Sequence, residues 1–215
     1  MRGRPLLIGG LVTLLVVSVI AAIVVGRPQA DPLEVVAAWT ASRNAGDVDA
    51  ALSLLADDAS VFGGSIADPG RRNETRQILA AQALAGWTIV DSDCEATDET
   101  STDVIVTCRY RMDDEILRRW ELSFTGTHQY IVRDGKIARV TRVHDISSRD
   151  QAYSALGAFK AWVAEVHPDL VAVIWSDPQG ATYGTPEGAA AMLELLDEYE
   201  QSRSGVDKSF SDRWS

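Results

Sequence analysis

The chain has 215 residues, 46% hydrophobic and 24% charged, with two cysteines, a composition that excludes collagen-like, disordered and disulfide-dense classes. Its formal charge of −11 is uneven: Arg2, Arg4 and Arg27 stand in residues 1–30 with no acid, leaving 17 of the 20 basic groups against all 31 acidic ones beyond residue 30. That acidic remainder offers no basic footprint for a phosphate backbone, so nucleic acid is excluded as a partner.

From Leu6 to Gly26 the chain reads LLIGGLVTLLVVSVIAAIVVG without a charge. As a helix this is about 31 Å long, enough for a bilayer core of about 30 Å. Basic residues precede it and acids soon follow, which predicts a cytoplasmic N-terminus and an extracytoplasmic remainder on a single-pass membrane anchor. A cleaved secretory signal is the competing reading, but its apolar core is usually shorter, and Ile20-Ala21-Ala22 and Pro28-Gln29-Ala30 are poor cleavage sites.

Beyond the linker ending at residue 30, Asp31 and Pro32 open a helix predicted over 32–44, and Asp47 caps a second over 48–55. A short strand over 59–62, a loop rich in glycine and proline, and a third helix over 72–84 follow. The period then changes from 3.6 to 2, predicting strands near 87–97, 102–112, 118–133 and 136–146, an α+β layout. After Ile146 come a helix over 149–166, a short apolar strand or loop over 170–175 and a helix opened by Thr185-Pro186-Glu187. Their apolar stripes are read as packing onto the preceding domain or closing its mouth, with a dimer or partner surface as the alternative. Residues 203–215 read as a polar tail with docking points at Phe210 and Trp214.

Two registers can be written down. A turn about Ser101 sets Cys94 opposite Cys108 and aligns Val90, Ala96, Val104, Val106, Tyr110 and Met112 on one face, so a structural disulfide is expected in an oxidising compartment. Asp134-Gly135 signals a two-residue hairpin turn, so paired residue numbers sum to 269. One face then carries Trp120, Leu122, Phe124, Gly126, His128, Tyr130 and Val132 with Ile137, Arg139, Thr141, Val143 and Asp145. Polar groups among apolar ones suggest a ligand cavity, because such groups are costly to bury unpartnered. His144 and Arg142 fall on the opposite face. A bulge at Gly126 would switch the side taken by residues 120–125.

The stretch from Trp39 to Phe62, WTASRNAGDVDAALSLLADDASVF, resembles the N-terminal signature of SnoaL-like domains of the nuclear transport factor 2-like superfamily, and the Asp-Gly-Lys-Ile at 134–137 is similar to their closing hairpin. The resemblance covers residues 31–146 and implies a cone-shaped, cystatin-like α+β fold: three helices against a curved, mostly antiparallel sheet around a pocket, often in a dimer. It specifies function poorly, since members include ketosteroid isomerases, polyketide cyclases, dehydratases and non-enzymatic modules. The isomerase base falls on Gly63, the oxyanion tyrosine on Trp39 and the second donor at or beside His128, which makes isomerase chemistry a poor fit. The cyclases resemble a His and Asp pair, here His128 and Asp145, but the written register separates these by roughly 13 Å along the strands.

The resulting expectation is a membrane-anchored, extracytoplasmic module that binds a small apolar ligand or a protein partner. Its pocket is expected to be lined by Trp39, Phe62, Tyr110, Trp120, Phe124, His128, Tyr130, Arg139 and Asp145. The alternative is a cyclase, isomerase or dehydratase using His128, Asp145 and Tyr130. No nucleotide or metal motif is present, so no cofactor is expected.

Overall fold

The computed structural model describes residues 30–98, 102–175 and 184–211. The expected span at 6–26, Trp214 and the Phe210 side chain lie outside the described residues. Among the described residues no helix is long and apolar enough to cross a membrane.

Helix α1 (Pro32–Asn44) starts where Asp31 accepts a hydrogen bond from the Leu33 amide, and α2 (Val48–Ser53) where Asp47 accepts from Ala50. Strand β1 (Leu55–Val61) turns through Phe62 and Gly63, both at positive φ, into the two-residue β2 (Gly64–Ser65). Helix α3 (Pro69–Leu84) begins three residues before its expected start because Asp68 caps it and proline is tolerated in a first turn. Strands β3 (Thr88–Asp98), β4 (Asp103–Asp113), β5 (Phe124–Arg133) and β6 (Lys136–His144) follow.

The expected long strand over 118–133 is broken. Asp114 caps a short helix α4 (Glu115–Arg119), and Trp120 is its C-terminal cap rather than a strand residue. The sheet order is β2-β1-β6-β5-β4-β3, antiparallel throughout except for the β1–β6 pair. Strands β4 and β5 bury alternate residues only, Val106, Cys108, Tyr110 and Met112 on one and Phe124, Gly126, His128, Tyr130 and Val132 on the other. One face of the curved sheet therefore carries the core, and the other is open to solvent.

The core has two parts. Val35, Val36 and Trp39 of α1 pack with Leu55, Val61, Val106, Tyr130 and Ile137. At the other end, Trp87, Ile89, Met112, Ile116 and Phe124 pack with Leu156, Phe159 and Val163 of α5 (Ile146–Val166) and with Met192, Leu196 and Tyr199 of α7 (Pro186–Ser211). The segment expected as strand or loop at 170–175 is largely a short helix, α6 (Val171–Ile174). Helix α7 continues to Ser211 instead of giving way to a tail at 203.

Both predicted registers hold near their turns and slip by one residue further on. Cys94 and Cys108 form the expected disulfide, and pairing from Glu95 to Asp98 follows the predicted sum of 202. Asp93, at φ +50°, bulges, and from Ser92 back to Thr88 the sum is 201. Val90 is therefore turned outward, 62% exposed, while Ile89 is buried. In the β5–β6 hairpin, Arg133–Lys136 and Val132–Ile137 keep the sum of 269, but from Ile131–Arg139 onward it is 270.

The extra residue at Ala138 reverses every β6 side chain after it. Gly126 is not the bulge. It sits at φ +156° where an added Cβ would lie 2.0 Å from the Val143 carbonyl oxygen, so the close approach of β5 and β6 requires glycine.

Candidate functional site: an arginine-lined pocket over a buried carboxylate

The two slips decide which side chains meet inside the fold. The bulge at Asp93 aims Asp91 inward. There its Oδ1 accepts from His128 Nδ1 at 2.8 Å, and its Oδ2 accepts from Tyr130 Oη at 2.8 Å and Thr40 Oγ1 at 2.7 Å. Thr40 ties α1 to this carboxylate, and one turn on, Asn44 brackets the backbone N–H and C=O of Ile89 on the edge strand β3. Burial alone would raise the Asp91 pKa, but the hydrogen bonds from His128, Thr40 and Tyr130 outweigh it and hold the carboxyl below its usual value.

The bulge at Ala138 aims Arg142 inward, and its Nε donates to His128 Nε2 at 3.0 Å. With Nε2 accepting, His128 carries its proton on Nδ1, facing Asp91, and is neutral. Burial is the main cause of its lowered pKa, with Arg142 adding to it. The ring is fully buried, stacked under Tyr110 at 4.1 Å between centroids.

Above this network lies a cavity of about 240 Å³ bounded by Trp39 and Arg43 of α1, Val61, Phe62 and Gly63 of the β1–β2 tip, and Val140, Arg142 and His144 of β6. The Arg43 guanidinium stacks between Trp39 and Phe62, 5.4 and 5.7 Å from their ring centres. One of its terminal nitrogens donates to Gln82 at 2.7 Å, while its buried Nε and the buried Trp39 Nε1 have no hydrogen-bond partner among the described residues. Burial, with Arg142 close by, brings the Arg43 pKa down to about 10, so it stays charged at neutral pH.

His144 Nδ1 is hydrogen-bonded to Tyr110 Oη. Burial, followed by the charge of Arg142, brings His144 down to about 4, and burial pushes Tyr110 up to about 12. Phe62 holds φ +50°, a conformation that costs a non-glycine residue energy and is found disproportionately at binding sites.

Of the residues expected in the pocket, Trp39 and Phe62 line it, and Tyr110, His128 and Tyr130 form its floor network. Phe124 is buried beside His144, with ring centres 4.9 Å apart. Three belong elsewhere. Arg139 lies on the open face and is exposed, because the bulge precedes it. Asp145 lies just past β6, at the N-cap of α5, facing outward, accepting from Thr125 Oγ1 at 2.8 Å and lying 3.6 Å from Arg109. Trp120 packs on Phe159 and Tyr199 in the other half of the core.

The His128–Asp145 pair is therefore not formed, and the carboxylate on His128 is Asp91. His144, expected on the outer face, is in the pocket wall. Thr40, Arg43, Asp91 and Arg142 were not anticipated. No sequence signal marks Asp91 or Arg142, since β3 and β6 read equally well in either phase at the bulge, and Thr40 and Arg43 of α1 gain their role only from what those strands turn inward.

No family model matches the chain, and no curated protein matches it. Among solved structures it is similar to a candidate polyketide cyclase from Pseudomonas putida KT2440, at 20% identity and TM-score 0.35 over 55% of this chain and 94% of that one. It is also similar to an uncharacterised cystatin-fold protein from Novosphingobium aromaticivorans, at 23% and 0.37 over 55% and 99%. A third is a Mycobacterium tuberculosis protein of unknown function, at 14% and 0.42 over 64% and 79%. The solved structures it is similar to are thus of polyketide cyclase, cystatin-like and nuclear transport factor 2-like kinds, and the likeness carries no chemistry.

Proposed function

We propose that the domain beginning at residue 31 is a binding module that holds a small ligand between Trp39, Phe62 and strand β6 without transforming it. The observation that carries this reading is the pocket wall: aromatic and aliphatic sides, a strained Phe62-Gly63 tip and polar groups from α1 and β6, with no carboxylate among its lining residues. Proton abstraction needs a positioned base. Asp91 is engaged by three donors and His128 is sealed beneath Tyr110, while Gly63 stands where the resembling isomerases place their carboxylate.

Native mass spectrometry of the full chain in detergent tests the reading. Wild type should retain a small co-purified mass that Val140→Trp, which fills the pocket, loses. Equal occupancy in both proteins refutes it.

We propose further that the apolar stretch at 6–26 holds this module on the outer side of the cell membrane. Protease added to spheroplasts should digest the domain, and protection until lysis would overturn the assignment. A catalytic reading has one observation behind it, His144 in the pocket wall with Tyr110 on its Nδ1. It requires that His144→Gln abolish a turnover that Asp145→Asn leaves intact.

A further inference from the structure

Resting on the pocket reading above, we infer that the ligand is a small monocarboxylate with a compact apolar body, its carboxylate received by Arg43 and Arg142. Arg43, Arg142 and Trp39 bring donors to the cavity lining. Tyr110 Oη is an oxygen with one proton whose hydrogen-bond partner is His144 Nδ1. If that proton is donated, His144 carries its own on Nε2 and is a donor to the pocket as well. Among the described residues Arg142 spends only Nε, on His128, and Arg43 spends one terminal nitrogen on Gln82. Arg43 Nε and Trp39 Nε1 are buried without partners. Buried polar groups in native proteins are nearly always satisfied, and Arg43 Nε, Trp39 Nε1 and the unspent Arg142 nitrogens call for an acceptor.

The charges agree. Two guanidiniums face the pocket region against one ionised group, Asp91, whose oxygens are already occupied. His128 is neutral, and of the other ions near His144, Asp145 turns outward toward Thr125 and Arg109, while Arg149 pairs with Asp150 at 2.8 Å. One positive charge is left over at the cavity of a domain whose net charge is strongly negative, so attraction for an anion is local to this pocket.

Size bounds the rest. The 240 Å³ cavity equals about eight waters at about 30 Å³ each, below the usual range for drug-sized ligands. A planar carboxylate matches a guanidinium fork, and Trp39, Phe62, Val61 and Val140 leave room for one ring or a short chain.

The test is calorimetric titration of the full chain in detergent with benzoate and hexanoate against their uncharged, similarly shaped amides, benzamide and hexanamide. The acids should bind at least about tenfold more tightly than the amides, as charge-assisted hydrogen bonds outweigh neutral ones, and should weaken as ionic strength rises. Arg43→Gln and Arg142→Gln should each remove most of the acid preference with little effect on the amides. Trp39→Phe keeps an aromatic ring and deletes one donor, so it should weaken the acids selectively even if an arginine variant fails to fold.

Amides that bind as tightly as the acids overturn the anion inference and leave the pocket reading standing. Failure of all four compounds to bind wild type overturns both.

Discussion

Replacing Asp91 by alanine tests whether one buried carboxylate organises the interior. Its side chain is 7% exposed and accepts from His128, Tyr130 and Thr40. Removing it strands two buried donors, His128 and Tyr130, and the half-buried Thr40, and leaves Arg43 and Arg142 without a counter-charge. A hydrogen bond to a charged group contributes about 1.5–3 kcal/mol, but the three share one acceptor and are not additive. Removing one partner of a buried pair costs about 3–5 kcal/mol, so about 4 kcal/mol is expected for Asp91→Ala.

Asp91→Asn keeps one acceptor for His128, and the hydroxyls of Thr40 and Tyr130 can rotate to accept from the new amide. Only the counter-charge is then lost, and about 2 kcal/mol is expected. Urea unfolding at neutral pH followed by circular dichroism reads both values, and an unchanged m-value ensures that they describe stability. A loss below about 1 kcal/mol for Asp91→Ala would refute the reasoning, because that is the cost typical of a surface group.

Gly126→Ala should cost about 3 kcal/mol or more in the same assay, combining overpacking against the Val143 carbonyl with strain at positive φ; a near-neutral result would mean that β5 and β6 can part. Replacing Cys94 and Cys108 by serine should cost about 3 kcal/mol for a loop of this separation, and dithiothreitol should lower the melting temperature of wild type but not of the double variant. His144 should make stability fall with acid. Its folded pKa of about 4 lies below its unfolded 6.5, so the unfolded chain takes the proton first and stability declines from pH 6.5 down to about 4. Since the ring is partly exposed, the full conversion of about 1.4 kcal/mol per unit is discounted to about 1–2 kcal/mol over that window. His144→Gln should flatten this segment of the pH profile. Asp91 adds a separate loss at lower pH, because its depressed carboxyl stabilises the fold above the unfolded carboxylate pKa and ceases to as pH falls through the folded value.

Where local chemistry decides, the sequence is legible. Asp31, Asp47 and the Asp134-Gly135 turn specify helix starts and a hairpin, and the structure follows them. The loop centre near Ser101 and the apolar face it aligns predict the pairing of Cys94 with Cys108, which the disulfide bears out. Helix α4 escaped notice because Ile116, Leu117, Trp120 and Leu122 also suit a strand, and only the Asp114 cap, whose carboxylate accepts from the Leu117 amide, tips the segment into a turn of helix. At 170–175 the apolar run Leu-Val-Ala-Val-Ile-Trp reads as strand by composition, but packing against α7 selects helix.

The site was illegible for one reason, acting twice. In β6, Ile137 and Val143 fit one phase of the alternation and Ala138 and Val140 the other, so hydrophobicity does not choose between them. In β3, Ile89 and Val90 pose the same ambiguity. A bulge resolves it by letting each strand use both phases: the apolar residues near the turn keep one, and the polar residues beyond it take the other. The phase that hydrophobicity leaves open is where Asp91, Arg142 and His144 enter the interior. Each bulge thus serves as a sorting device. Polar groups brought inward at such a point must be satisfied by one another or by something bound. Asp91, His128 and Tyr130 satisfy one another, while Arg43, Arg142 and Trp39 are left to the pocket.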